Sequence, residues 1–175
     1  MIPPMKKESH NPMPPWDKSN PSESLRRLGL WYNERARGML LKDGKHTELY
    51  FLFNHDGQGT LIQVPPGMDR ETFMANLKVL LRANNFFGVI QIGEVWTYLP
   101  PKPNDHTYRQ VLEGEMKVSE LKPEDKTEAL LVRYQSSDGN QCMWVNPILR
   151  EASGVSLGET VEIKGEALGR FGSLF

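Results

Sequence analysis

With 175 residues, 21 Lys+Arg against 22 Asp+Glu and a formal net charge of −1, the chain has the size of one domain. It has no overall field to draw it to nucleic acid or an anionic membrane. Its one cysteine, Cys142, excludes an intramolecular disulfide and a paired-cysteine metal or redox site, which points to a reducing cytoplasm.

The opening Met-Ile-Pro-Pro-Met-Lys-Lys-Glu contains no apolar stretch long enough for a signal peptide or a membrane span, so an intracellular protein with no membrane partner is expected. Residues 1–21 hold six of the 13 prolines and no glycine, which predicts a flexible, non-helical arm. Trp16 is its exception: a weakly packed or disordered aromatic is the favoured reading, and a pin that holds the arm to the domain or to a partner is the alternative. Asn20-Pro21-Ser22-Glu23 has the order of a helix start. Leu25, Leu28, Tyr32, Ala36 and Met39 then recur at helical steps, and the helix should end near Asp43-Gly44.

Thr47 to Asn54 and Thr60 to Val64 flank His55-Asp56-Gly57-Gln58-Gly59 and predict a hairpin whose first strand is apolar on both faces. Asp69 caps a second helix with Phe73, Leu77, Leu80 and Leu81 on one stripe, closing at Asn84-Asn85. From Gly88 to Leu99 the period becomes two and places Ile90, Ile92, Glu94, Trp96 and Tyr98 on one face. Residues 100–127 read as a long connection, with one helical turn or a short strand allowed from Arg109 to Val118. Ala129 to Tyr134 and Gln141 to Leu149 form a second hairpin across Asp138-Gly139, with Pro147 marking an edge or bulge. Val161 to Lys164 can add a last strand.

This order predicts a single α+β domain over 22–165, with two helices packed on a largely antiparallel sheet of five to six strands. A mixed sheet is left open, and residues 166–175 form a tail able to dock back.

Chemistry is sparse. Glu94 falls among large apolar neighbours, where desolvation raises a carboxyl pKa unless the charge is paired. Pairing with Lys126, Arg133 or Arg150 to fix the long connection is favoured over catalysis. The four histidines have no metal-ligand spacing, so no metal or other cofactor is expected. His55-Asp56 and Asp138-Gly139 read as turns, and Cys142, beside Met143 and Trp144, as a small core residue. No nucleophile elbow or phosphate-binding loop is present in the sequence.

Gly93-Glu94-Val95-Trp96, Pro123-Glu124-Asp125-Lys126-Thr127-Glu128-Ala129, Asp138-Gly139 and Ile148-Leu149-Arg150 carry a resemblance over about a third of the chain. They resemble a loose group of uncharacterised bacterial and phage proteins in which a strand ending Glu-Ala-Trp precedes a Pro-x-Asp-Arg-x-Glu turn and a hairpin. Here Lys126 stands where that pattern has arginine. The resemblance implies a polar cluster of Glu94, Trp96, Asp125, Lys126 and Glu128 with Arg150, either a pocket wall or a latch. It brings no activity.

The leading expectation is therefore a small soluble non-enzymatic binding or accessory module, acting on a protein partner through its long connection and proline-rich arm. The first alternative is a hydrolase or other small-molecule enzyme pairing Glu94 with a histidine or Glu128. The second is single-stranded nucleic-acid binding by Trp96, Tyr98, Tyr108 and Trp144 with Lys102 and Arg109, which the neutral charge disfavours. Phe171 and Phe175 permit a homodimer without requiring one.

Overall fold

A computed structural model describes residues 11–99, 105–113, 115–165 and 173–175 of the chain. Helix α1 runs Pro21–Asp43. The side chain of Asn20 accepts from the Glu23 amide at its start, and Gly44 ends it in the left-handed region at φ 75°, its amide reaching the Leu40 carbonyl. Both ends lie where the sequence signals place them. The stripe differs in one respect: Leu40 is fully buried while Met39 is 51% exposed, because 3.6 residues per turn carry the buried face past Met39 after four turns.

The strands are β1 (Leu49–Phe53), β2 (Gly59–Ile62), β3 (Gly88–Thr97), β4 (Thr127–Ser136), β5 (Gln141–Glu151), β6 (Gly154–Leu157) and β7 (Val161–Lys164). They make one seven-stranded sheet in the order β2-β1-β3-β4-β5-β6, with β7 also on β5, and every pairing is antiparallel. The α+β class holds; the sheet is antiparallel throughout and larger than expected. Strand β6, whose Val155 and Leu157 alternate with polar residues, is an addition to the expected set.

β5 serves two partners along one edge. Cys142 to Val145 pair with β7 and Ile148 to Glu151 with β6. Pro147 lies between these segments, and its carbonyl accepts from Gly158 at 2.8 Å. A strand residue's N–H and C=O point the same way, so the missing proline N–H falls in the gap between β6 and β7, where no ladder bond is lost.

The pleat sorts the core. On one face Ile90, Ile92, Leu130, Val132, Tyr134 and Trp144 meet Leu25, Leu28, Ala36 and Leu40 of α1. Gly29 permits this approach: a Cβ there would lie 2.6 Å from Cζ3 of Trp144. A buried polar link fixes the register of helix on sheet. Asn146, fully buried, donates to Asn33 at 2.8 Å and to the Leu130 carbonyl at 3.0 Å, and it accepts from Arg37 at 2.7 Å.

On the opposite face, helix α2 (Arg70–Ala83) lays Phe73, Leu77 and Leu81 over Tyr50, Leu52 and Val89. Asp69 caps it by accepting from the Thr72 amide at 2.8 Å, and Asn85 leaves it at φ 51°. Leu80, assigned to the stripe from sequence, is 39% exposed. β1 is thus covered on both sides, as its two-faced apolar run predicts.

The connection between β3 and β4 is not structureless. It carries a third helix, α3 (His106–Leu112), capped by Asp105 accepting from the Tyr108 amide at 2.9 Å, and two 3-10 turns at Val118–Glu120 and Pro123–Asp125.

Both ends of the described chain pack onto the domain. Trp16 stacks on Phe53 with ring centroids 6.0 Å apart, and its Nε1 donates to the His55 carbonyl at 3.1 Å. It is a pin, in place of the weakly packed aromatic favoured from sequence. Leu174 is 1% exposed beneath α2, and its amide donates to buried Gln135 at 3.0 Å. Among the described residues no helix is long and apolar enough to cross a membrane.

Candidate functional site

Three of the six residues singled out from sequence meet. Glu94 on β3 and Glu128 on β4 share the α1 face just beyond the end of that helix, because Trp96 pairs with Glu128 and Glu94 with Leu130. Arg150 on β5 reaches across. Its Nε and Nη2 donate to the two oxygens of Glu128 at 2.8–3.0 Å, and Nη2 also donates to Oε2 of Glu94 at 3.0 Å. Nη1 donates to the Gly44 carbonyl at 2.6 Å, one of the orphan acceptors at the C-terminus of α1. The remaining Glu94 oxygen, Oε1, accepts from the His46 amide.

One guanidinium thus ties three strands to the exit of α1, with the planar two-point geometry that arginine offers a carboxylate. The hydrogen bond that Arg150 donates to Glu128 strengthens its hold on its proton, and the nearby Glu94 charge adds to it.

The other three residues stand apart from this cluster. Lys126 donates to the Ser119 carbonyl at 3.0 Å and braces the connection between β3 and β4. Asp125 closes a 3-10 turn through its amide to Lys122 at 2.9 Å. Trp96 lies beside Glu128 in register but turns its ring to solvent and is 59% exposed. Arg133, weighed as a partner for Glu94, cannot reach it: Arg133 pairs with Gln91, whose side chain leaves the opposite face.

That opposite face holds a second polar cluster that sequence reasoning did not assemble. Tyr50, fully buried, donates to Glu48 at 2.6 Å. Gln91 donates to Glu48 at 3.2 Å and to the Tyr50 hydroxyl at 3.1 Å, and Arg70 of α2 closes on Glu48 at 3.2 Å. Arg133 is 1% exposed, and burial pushes its guanidinium down to about 10. Burial, then the bond to Glu48, holds the Tyr50 phenol well above its usual range. The signal for this cluster was Arg133 itself, a lone charge in the apolar run Ala129 to Tyr134.

Other candidates resolve as ordinary structure. Asn54 accepts from the amides of Asp56 and Gln58, which builds the turn containing His55-Asp56. Cys142 is buried, and burial with a hydrogen bond to Glu162 pushes its thiol up to about 12. The proposed stacking row for a nucleic-acid strand breaks at Trp144, which is 2% exposed under α1, and Lys102 lies outside the described residues. No group of three or more His, Cys, Asp or Glu able to hold a metal occurs among the described residues.

The fold and this cluster define a small antiparallel α+β domain in which an arginine-centred ion cluster closes one end of the sheet. Residues 16–175 match the family model described as bacteriophage lambda protein ea47, and the chain belongs to that family. This agrees with the phage side of the resemblance read from sequence, and the matched region opens at Trp16, the residue that pins the arm. The family description names no reaction. No curated protein and no solved structure matches the chain.

Proposed function

We propose that the chain is a non-enzymatic binding module that engages another protein through the latch end of its sheet, with Trp96 as the anchor. The observation that carries this reading is the complete engagement of the two carboxylates. Glu94 accepts from the His46 amide on one oxygen and from Arg150 on the other, and Arg150 holds both oxygens of Glu128. A general base needs a lone pair within reach of the proton it removes, and here the strongest positions are already filled by protein donors. Trp96 supports the binding half of the reading: a large aromatic side chain left exposed beside fixed charges matches the residue type that dominates interface energetics. The lone, buried Cys142 fits action in a reducing cytoplasm.

The test is thermal unfolding of the wild type, Glu94→Gln and Trp96→Ala across pH 5–8, alone and with divalent metals, nucleotides and oligonucleotides. The expected outcome is a lower midpoint for Glu94→Gln, a stability for Trp96→Ala within about 0.5 kcal/mol of wild type, and no shift with any ligand of the panel. A ligand that raises the wild-type midpoint and loses that effect in Glu94→Gln would favour the enzyme reading instead.

A further inference from the structure

The edge of the sheet at β2 is unpaired among the described residues. The phase of its hydrogen bonding follows from the turn: the Asn54 amide donates to the Gln58 carbonyl at 3.1 Å, so Asn54 and Gln58 point at each other. Antiparallel pairs alternate between facing and averted, which makes Leu52 with Thr60 and Tyr50 with Ile62 the next bonded pairs. The backbone N–H and C=O groups of Gly59, Leu61 and Gln63 therefore point away from β1. β2 pairs with no other strand, and these groups have no other backbone partner among the described residues.

Natural sheets blunt such an edge with charged side chains, proline or a bulge. From Gln58 to Val64 this one carries no charge and no proline, and Pro65-Pro66 only bounds its length. Its most prominent side chain is Leu61, 53% exposed, opposite Phe51, whose ring packs on Tyr32 at 4.3 Å. An apolar ledge thus runs from α1 across β1 and stops at the open edge.

We propose that β2 is a homophilic docking edge, which a second copy of this chain extends by pairing its own β2 antiparallel across a two-fold axis at Leu61. The register follows from the phase of the outward groups. With Leu61 on the axis, Leu61 meets its twin as a bonded pair, and Gly59 of each copy faces Gln63 of the other. The same alignment sets the two exposed leucines against each other on the α1 side and Thr60 against Ile62 on the α2 side. No like charges are opposed, because the segment has none. A closed two-fold contact of this kind uses one patch twice and leaves no free β2 edge, so it stops at the dimer. The strand is short, and its pairing buries less than the roughly 1,200 Å² of a standard interface, so the association is concentration-dependent.

Sedimentation equilibrium of the full chain from about 10 μM to about 1 mM, the range for a small interface, is the test, with amide hydrogen exchange at both limits. The expected result is an apparent mass rising from 20.0 kDa toward twice that value, with slowed exchange at the amides of Gly59, Leu61 and Gln63 as the mass rises. Leu61→Lys sets like charges face to face on the axis and weakens the association about tenfold or more. Val79→Lys, at a residue 67% exposed on α2, leaves it as in wild type. A single 20.0 kDa species over the whole range, with fast exchange at the Leu61 amide throughout, overturns the proposal and would leave the edge to an extended segment of some other protein. A dimer that Leu61→Lys does not weaken overturns it as well. The wild-type mass and exchange profiles decide the matter even where a variant folds poorly.

Discussion

The two polar clusters of this domain each combine arginine with glutamate and stand on opposite faces of β3 and β4. Glu94, Glu128 and Arg150 sit past the end of α1, with side chains 20–39% exposed. Glu48, Tyr50, Gln91 and Arg133 sit at the α2 side, where Tyr50 and Arg133 are almost wholly withdrawn from water. The difference is one of dielectric. In the first cluster water screens the charges, so it aligns strands and caps a helix while contributing modestly to stability. In the second, Glu48 and Arg70 still reach water, but Tyr50, Gln91 and Arg133 have already incurred desolvation, and loss of any one of these three leaves the other two buried with fewer compensating bonds.

The largest effect should follow Arg133→Ala, which removes the buried guanidinium and opens a cavity between β3 and β5. Denaturant unfolding should show a loss of about 3–5 kcal/mol. A loss below about 1 kcal/mol would erase the contrast with the exposed cluster. Next, Tyr50→Phe keeps the ring and deletes the hydroxyl shared by Glu48 and Gln91, and should cost about 1–2 kcal/mol by the same measurement. Glu94→Gln keeps the shape of the exposed cluster and should cost about 1 kcal/mol or less. That smaller loss should shrink further between 0.1 M and 1 M salt, as the Debye length falls from about 10 Å to about 3 Å, while the Tyr50→Phe loss stays constant.

A group outside both clusters sets the lower end of the scale. Burial alone would raise the carboxyl of Asp138, at the turn between β4 and β5, but hydrogen bonds from Ser136, Ser22 and Asn140 outweigh it and lower its pKa. A folded-state pKa below the unfolded value means that this stability is present above the unfolded value of about 3.9 and is lost as pH falls through the folded one. Asp138→Asn should therefore narrow the difference in stability between pH 6 and pH 3, without touching the salt response of the Glu94 cluster.

The contrast between the clusters also marks what was legible in the sequence. Asn20, Gly44, Asp69 and Asn85 announce helix ends because capping is local chemistry, and the structure puts the ends there. α3 carried the same signal, with Asp105 ahead of Tyr108, but its surroundings read as a loop. β6 is four residues long and exists only because β5 offers it the half of an edge that Pro147 separates from β7. Glu94 stood out as a charge on an apolar face. Which cation answered it was not readable, since Lys126, Arg133 and Arg150 are separated only by strand register and pleat parity. The buried cluster required the same knowledge twice, because Gln91 and Arg133 become neighbours only once β3 and β4 are paired.

The central claim, that Glu94 is part of a latch and not of an active site, is tested most directly by a double-mutant cycle of Glu94→Gln and Arg150→Met, read by denaturant unfolding at pH 7. The latch predicts that each single change lowers stability and that the second costs clearly less once the first is made. A Glu94→Gln variant more stable than wild type, with no coupling to Arg150, would contradict it and mark Glu94 as a residue kept at the expense of stability for a chemical role.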